Sequence, residues 1–192
     1  MTLILASTSA SRRAMLTAAG VPHEAVDPRV DEEAAKAGLS HLSPRDLADA
    51  LAELKAAKLS AQRPDALVLG GDSLVELDGQ RLDKPGEGLA EQLRLLSGRT
   101  HRLHSASVVC EGGQPVWRAT ETAVMHVRAL SDAFIADYVA RDREARWCAG
   151  GYRIEGLGAQ LFSRVEGSWF AIQGLPLLPL LDWLRARGVL AS

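Results

Sequence analysis

The sequence has only two cysteines, Cys110 and Cys148, and neither belongs to a C-x-x-C pair. The spacing of these cysteines therefore argues against a disulfide framework. We expect both thiols to be buried and the protein to reside in a reducing compartment, the cytoplasm. No apolar run approaches the length of a membrane span, since the apolar segment 175–184 contains two prolines and Asp182. We expect no membrane association, and no secretory signal is visible.

A strong excess of charge of either sign is missing as well. The chain has 22 basic and 24 acidic residues, which gives a formal net charge of −2 at pH 7. This balance argues against bulk affinity for nucleic acid, so any phosphate ligand must be held by local charge. The G-x-S-x-G elbow and the Walker A loop are also missing. With 192 residues, of which 47% are hydrophobic, the chain is expected to form one domain over residues 1–192.

The most informative segment that is present comprises the first thirteen residues, MTLILASTSASRR. A short apolar strand leads into several hydroxyl side chains, and then Arg12 and Arg13 open a helix. Amides at a helix start, hydroxyl donors and two guanidinium groups in one turn favour an anion, most naturally a phosphate. The alternative is that both arginines are ordinary surface charges. However, a basic pair in that turn opposes the helix dipole unless an anion accompanies it.

A second candidate cluster is centred on Asp72. It follows Gly70 and Gly71 inside an otherwise apolar strand, where a carboxylate needs a partner or a ligand. The alternative is a solvated aspartate at the end of a strand. A tight turn at residues 78–79 folds the chain back, so we expect Lys84 to approach Asp72 as a phosphate ligand.

Three further side chains are candidates with an open alternative each. Lys55 borders the apolar stripe of a helix, so its ammonium group either extends to solvent or reaches into a cleft. Glu32 lies in a run of three acidic residues that is typical of a mobile loop. If this loop covers the site, Glu32 and Asp72 could share a magnesium ion with phosphate oxygens. Glu155 lies in a glycine-rich segment, either as an acceptor for a base edge or on a surface turn.

The pattern of caps and turns predicts helices and strands in mixed order. Helices are predicted at residues 12–19, 44–61, 88–96, 131–139 and 176–187, and strands near 23 and at 3–5, 66–77, 102–110, 116–127, 160–165 and 170–172. The apolar stripe of the second helix is assigned to Leu47, Leu51, Leu54 and Leu59. Because strands and helices do not alternate strictly, we predict an α/β fold with a mixed, partly antiparallel sheet flanked by helices. His101 and His104 are not predicted to form a metal pair, because residues three apart on a strand face opposite sides.

Taken in order, these segments resemble the Maf family of nucleotide pyrophosphatases. The similarity runs almost end to end and includes Lys55 and residues 5–13 (LASTSASRR), 30–32 (VDE), 71–73 (GDS), 84–85 (KP), 96–101 (LSGRTH), 148–150 (CAG), 155–156 (EG) and 174–176 (GLP). The resemblance implies a mixed α/β fold with two lobes around a deep cleft. It also implies divalent-metal-dependent hydrolysis of a nucleoside triphosphate to the monophosphate and pyrophosphate.

The resemblance also implies roles for individual residues. The family's phosphate-handling positions are matched by Ser7, Arg12, Arg13, Lys55 and Lys84. Glu32 and Asp72 match its acidic positions, which would hold Mg²⁺ or Mn²⁺, and Asp72 matches the catalytic base. Ser11, Ser73 and Glu155 match positions that vary with the preferred base. Members of the family often form dimers, so a homodimer is the candidate assembly.

The chain departs from the family pattern at several of these positions. Ala10 stands where a proline usually precedes the arginine pair. Ser73 and Glu155 replace the Thr and Gln of pyrimidine-preferring members. Glu155 and the CAG segment are similar to the branch that acts on 7-methylguanosine triphosphate, but Ser11 and Ser73 replace the Trp and Gln of that branch.

We therefore predict a house-cleaning pyrophosphatase for a non-standard or excess nucleotide, such as 7-methyl-GTP or another guanine-type triphosphate. One alternative is an enzyme that prefers dTTP and UTP. The other is a non-catalytic nucleotide-binding regulator of septum formation or cell division.

Overall fold

A computed structural model describes residues 3–191, so the first two residues of the N-terminal segment and Ser192 lie outside the described residues. The strands are β1 (Leu3–Ala6), β2 (His23–Val26), β3 (Leu67–Leu77), β4 (Gln80–Leu82), β5 (Thr100–Glu111), β6 (Gln114–Val127) and β7 (Phe162–Glu166). The helices are α1 (Ala10–Ala18), α2 (Glu32–Gly38), α3 (Pro44–Ser60), α4 (Leu89–Leu96), α5 (Asp132–Arg141), α6 (Trp169–Ile172) and α7 (Leu177–Ala186).

The strands form one seven-stranded sheet in the order β2-β1-β3-β5-β6-β7, with β4 paired to the end of β3. β1 lies between β2 and β3 and runs parallel to both. The remaining pairs are antiparallel. Parallel neighbours need crossover connections, which α1, α2 and α3 supply, whereas the antiparallel strands β5 and β6 are joined by a tight turn at Gly112-Gly113. The predicted mixed, partly antiparallel sheet is confirmed.

Helix α3 packs closely against the centre of the sheet. A Cβ atom on Gly70 would overlap the carbonyl oxygen of Ala52 and lie 2.9 Å from the backbone nitrogen of Ala56. Gly70 therefore lets the backbone of α3 approach β3 more closely than any side chain would allow. This approach brings the buried face of α3, including Lys55, against the strand that carries Asp72.

Most of the predicted elements are present, with boundaries that shift by a few residues. Ser43 caps α3, and Pro44 occupies its first turn, as predicted. Asp78 and Gly79 form the turn between β3 and β4, both with positive φ. Ser9 caps α1, and Ala10 is the first residue of the helix.

Two elements were predicted wrongly. The acidic run is not a mobile loop, because the side chain of Asp31 accepts a hydrogen bond from the backbone of Ala34 and begins α2. Glu32 and Glu33 then lie in the first turn, where acidic residues stabilise the helix dipole. Residues 170–172 belong to α6 instead of a strand, since Ser168 caps that short helix.

The predicted apolar stripe of α3 needs one correction. Leu47, Leu51 and Leu59 are buried, but Leu54 is exposed. The buried positions recur every four residues, and Lys55 occupies the place between Leu51 and Leu59 in that series.

The helices of residues 3–191 are too polar or too short to cross a membrane. The assignment of residues 1–192 to one domain stays a prediction.

Candidate active site

A cavity of about 640 Å³ opens where the segment after β1 faces β3 and residues 144–155. Nine of the ten predicted site residues line this cavity: Ser7, Ser11, Arg12, Glu32, Lys55, Asp72, Ser73, Lys84 and Glu155. They come from six separate parts of the chain. The division into two lobes stays a prediction.

The topology of the sheet explains why Asp72 faces a cavity. β1 pairs with β3 only as far as Gly70, and the chain leaves the sheet at Ser7. Asp72 therefore lies just beyond the last residue that β1 covers. Asp72 is 7% exposed, so the strand remains buried while the carboxylate lines the cavity.

Lys55 reaches into the cavity and joins two carboxylates. Its Nζ atom lies 2.6 Å from Oδ1 of Asp72 and 2.8 Å from Oε1 of Glu32. Lys55 is 6% exposed, and a buried ammonium group needs such partners. Burial alone would raise the pKa of Glu32, but the charge and hydrogen bond of Lys55, with the charges of Lys84 and Lys36, hold it below its usual 4.5. The cleft alternative for Lys55 is thus confirmed.

Arg12 is buried at the start of α1 and crosses to two other segments. Its Nε donates a hydrogen bond of 2.7 Å to the carbonyl of Gly174, and its Nη2 donates one of 3.0 Å to Ser73 Oγ. A Cβ on Gly71 would lie only 3.0 Å from Arg12 Nε, so this glycine provides the space for the guanidinium group. Burial lowers the pKa of Arg12 more strongly than the negative charges of Asp72 and Glu32 raise it.

The structure does not bring Arg13 to the cavity. Arg13 is exposed, and it is not among the lining residues. Successive residues on a helix are rotated by about 100°, so Arg12 and Arg13 cannot share one face. Of the two arginines, the structure places only Arg12 where the sequence predicts both.

Lys84 and Glu155 both line the cavity. Lys84 is exposed and follows β4, as the predicted hairpin requires. Glu155 is also exposed, and its Oε1 accepts a hydrogen bond of 2.7 Å from Ser11 Oγ. This bond joins the glycine-rich segment to the first turn of α1. Glu155 therefore lies in the wall of the cavity and not on an isolated surface turn.

Trp147 is a lining residue that the sequence analysis missed. It is 58% exposed, which is unusual for so large an apolar side chain, and it lies on the rim of the cavity. Its position directly before the CAG segment was the signal that could have identified it. Cys148 is half-buried and lines the cavity, so the prediction that both thiols are buried holds only for Cys110.

The two histidines of β5 face opposite sides of the sheet, as predicted. His101 contacts the hydroxyl of Tyr152 at 2.8 Å, whereas His104 contacts Glu76 and Thr122, each at 2.9 Å. Burial, with a smaller contribution from the charge of His126, lowers the pKa of His101 to about 4. His101 thus supports Tyr152, a cavity-lining residue, as a neutral side chain.

Comparison with known proteins gives one consistent result. The sequence model of the family described as "Maf-like protein" matches residues 2–187. The chain is similar to a protein of Sphingopyxis alaskensis, with 52% identity over 98% of each chain. It is also similar to proteins of Caulobacter vibrioides (50% identity, 97% of this chain and 96% of the relative) and Rhodospirillum rubrum (50%, 99% and 96%). All three relatives carry the name "Nucleoside triphosphate pyrophosphatase".

Proposed function

The chain belongs to the family of Maf-like proteins, and on that premise we propose that it hydrolyses a nucleoside triphosphate to the monophosphate and pyrophosphate. The names of the three relatives support this activity. The observation that carries the proposal is the buried pair of Asp72 and Lys55, joined by the half-buried Glu32, in a cavity that begins at the first turn of α1. Carboxylates, cations and a helix N-terminus together suit a triphosphate and an attacking water.

In the proposed reaction, water attacks the α-phosphorus and the bond from that atom to the α–β bridging oxygen breaks. Asp72 accepts the proton from the water, and pyrophosphate leaves with the electron pair of the broken bond. Lys55 holds Asp72 in place through their contact of 2.6 Å. Arg12 and Lys84 lower the energy of the charge that develops on the leaving pyrophosphate.

The donor set also suits a divalent cation. In the described part of the chain, no three His, Cys, Asp or Glu side chains are grouped to hold a metal. Lys55 engages one oxygen of Asp72 and one of Glu32, and each carboxylate has a second oxygen. Mg²⁺ or Mn²⁺ suits two carboxylates when phosphate oxygens and water complete its coordination. Asp72 and Glu32 would hold that ion, which would supply positive charge to the phosphate oxygens.

We expect Lys84→Ala to raise the Michaelis constant for the triphosphate by about 10- to 100-fold. A charge-assisted bond to phosphate contributes about 1.5–3 kcal/mol, and Lys84 is exposed, so its loss leaves the fold intact. Steady-state release of pyrophosphate measures the constant, and the melting temperature checks the fold. Arg141→Ala is the matched control, because that exposed cation lies at the end of α5 and pairs with Asp137.

Arg13→Ala belongs in the same series, since the sequence predicts a phosphate contact that the structure does not bring to the cavity. If Arg13→Ala raises the Michaelis constant as much as Lys84→Ala does, Arg13 contacts phosphate. If Lys84→Ala and Arg141→Ala have equal Michaelis constants, Lys84 does not bind phosphate.

For the base, we propose a guanine-type nucleotide, such as 7-methyl-GTP. An ionised Glu155 offers only acceptors, and guanine presents two donors through N1–H and its amino group. Methylation at N7 makes the ring cationic, and the exposed ring of Trp147 beside the cavity suits a cationic, planar base. Uracil and thymine present a single N–H between two carbonyls, which a carboxylate disfavours.

A panel of nucleotides tests both levels of this proposal. We expect pyrophosphate release, with 7-methyl-GTP or another guanine-type triphosphate ahead of UTP and dTTP, and a smaller difference in Glu155→Gln. UTP and dTTP as the best substrates would contradict the base assignment and leave the activity standing. Binding of nucleotides without any release of pyrophosphate would instead favour a non-catalytic regulator.

A further inference from the structure

A buried lysine outside the proposed reacting groups joins two walls of the cavity. Lys36 is 7% exposed, and its Nζ atom lies 2.9 Å from Oε1 of Glu33 and 3.0 Å from Oδ1 of Asp83. Glu33 belongs to the same helix and its side chain is 82% exposed, whereas Asp83 follows β4. The contact with Asp83 therefore ties α2 to a segment 47 residues further along the chain.

Each partner of this contact lies close along the chain to a proposed site residue. Glu32 and Lys36 are four positions apart in α2, so they lie on the same face of the helix. Glu32 contacts Lys55 from that face, while Lys36 contacts Asp83. Lys84 is the next residue after Asp83 and precedes Pro85, which restricts the backbone of Lys84 to extended conformations. Fixing Asp83 therefore restricts where Lys84 can extend.

We propose that Lys36 is a positioning residue that holds α2 against the segment after β4, so that Glu32 and Lys84 face the same substrate. The inference rests on the proposed function for the roles of Glu32 and Lys84. Lys36 itself touches neither Asp72 nor the cavity, since it is not among the lining residues. Its burial explains why an ion pair is needed there, because an isolated buried ammonium group is strongly unfavourable.

The test combines Lys36→Met, Asp83→Ala and the double variant. We expect each single variant to lower kcat/KM by about 10- to 100-fold, as for other residues that orient metal-binding or substrate-binding groups. The double variant should be no worse than Lys36→Met, because both changes break one contact. Glu33→Gln is the matched control and should change kcat/KM by less than about fivefold, because an exposed partner contributes little. Asp83 is about half exposed, so Asp83→Ala keeps the test valid if Lys36→Met does not fold.

Hydrogen exchange without nucleotide provides a readout that does not depend on activity. We expect Lys36→Met to accelerate amide exchange in residues 80–88 as well as in α2, whereas Glu33→Gln should leave residues 80–88 unchanged. Unchanged exchange there, or additive losses of kcat/KM in the double variant, would overturn the positioning role. A parent protein that releases no pyrophosphate from any nucleotide would instead overturn the proposed function, and the exchange experiment would still decide whether Lys36 joins the two segments.

Discussion

Asp72→Asn is expected to lower the rate of pyrophosphate release by about 10²- to 10⁴-fold, the usual cost of losing a general base. The amide keeps the shape of the carboxylate, and its oxygen can still accept the hydrogen bond from Lys55 that spans 2.6 Å. Lys55 also retains its ion pair with Glu32. The variant should therefore fold and bind nucleotide, while the water loses the group that accepts its proton.

Three measurements separate this effect from damage to the fold. The rate is measured at saturating nucleotide, binding is measured with a triphosphate whose α–β bridge resists hydrolysis, and the melting temperature is compared with that of the parent. Asp49→Asn is the matched control, because that carboxylate pairs with Arg118 outside the cavity. A well-folded Asp72→Asn protein with near-normal turnover would show that Asp72 is not the base.

Gly70→Ala is expected to lower the free energy of unfolding by about 3 kcal/mol or more, at the upper end of the usual cost of overpacking. The new Cβ would overlap the carbonyl oxygen of Ala52, and backbone atoms of α3 cannot move aside as a flexible side chain can. The helix must therefore separate from β3. Because α3 carries Lys55 and β3 carries Asp72, the separation should also reduce activity.

Denaturation by urea measures this change in the free energy of unfolding. Gly88→Ala is the control, since a Cβ on Gly88 meets no atom within 4 Å and its φ is negative. If Gly70→Ala does not fold, its loss from the soluble fraction under conditions that yield soluble Gly88→Ala gives the same answer. Equal stability of the two variants would mean that the close approach of α3 to β3 is not required.

Local sequence signals predicted an element correctly wherever its cap or turn depends on nearby residues. The Ser43-Pro44 pair starts α3, and the Asp78-Gly79 pair forms the turn between β3 and β4. The mobile loop predicted for the acidic run was wrong because its charges were interpreted as a sign of solvation. Asp31 instead caps a helix, and the following glutamates suit its first turn. The strand predicted at residues 170–172 was wrong because a run of apolar residues does not distinguish a short buried helix from a strand.

For the candidate site, the sequence predicted which types of residue and which segments of the chain line the cavity. Nine of the ten predicted residues line one cavity, and their roles there stay predictions. Arg13 is the exception, since adjacent residues of a helix point in different directions. Lys36 had no signal in the sequence, because its partner Asp83 is distant along the chain and both look like ordinary surface charges.

The sequence by itself determined the family, the mixed order of strands and helices, and the basic and acidic side chains available for a triphosphate. These properties depend on local patterns and on the order of the motifs. The tertiary structure alone decided that Lys55 points inward to join Asp72 and Glu32, that Arg12 is buried while Arg13 is exposed, and that Lys36 reaches Asp83. The contact of Lys55 with Asp72 depends on how closely α3 approaches Gly70 and on where β1 ends beside β3. Such distances arise from packing between segments that are far apart in the chain, so no local pattern of residues specifies them.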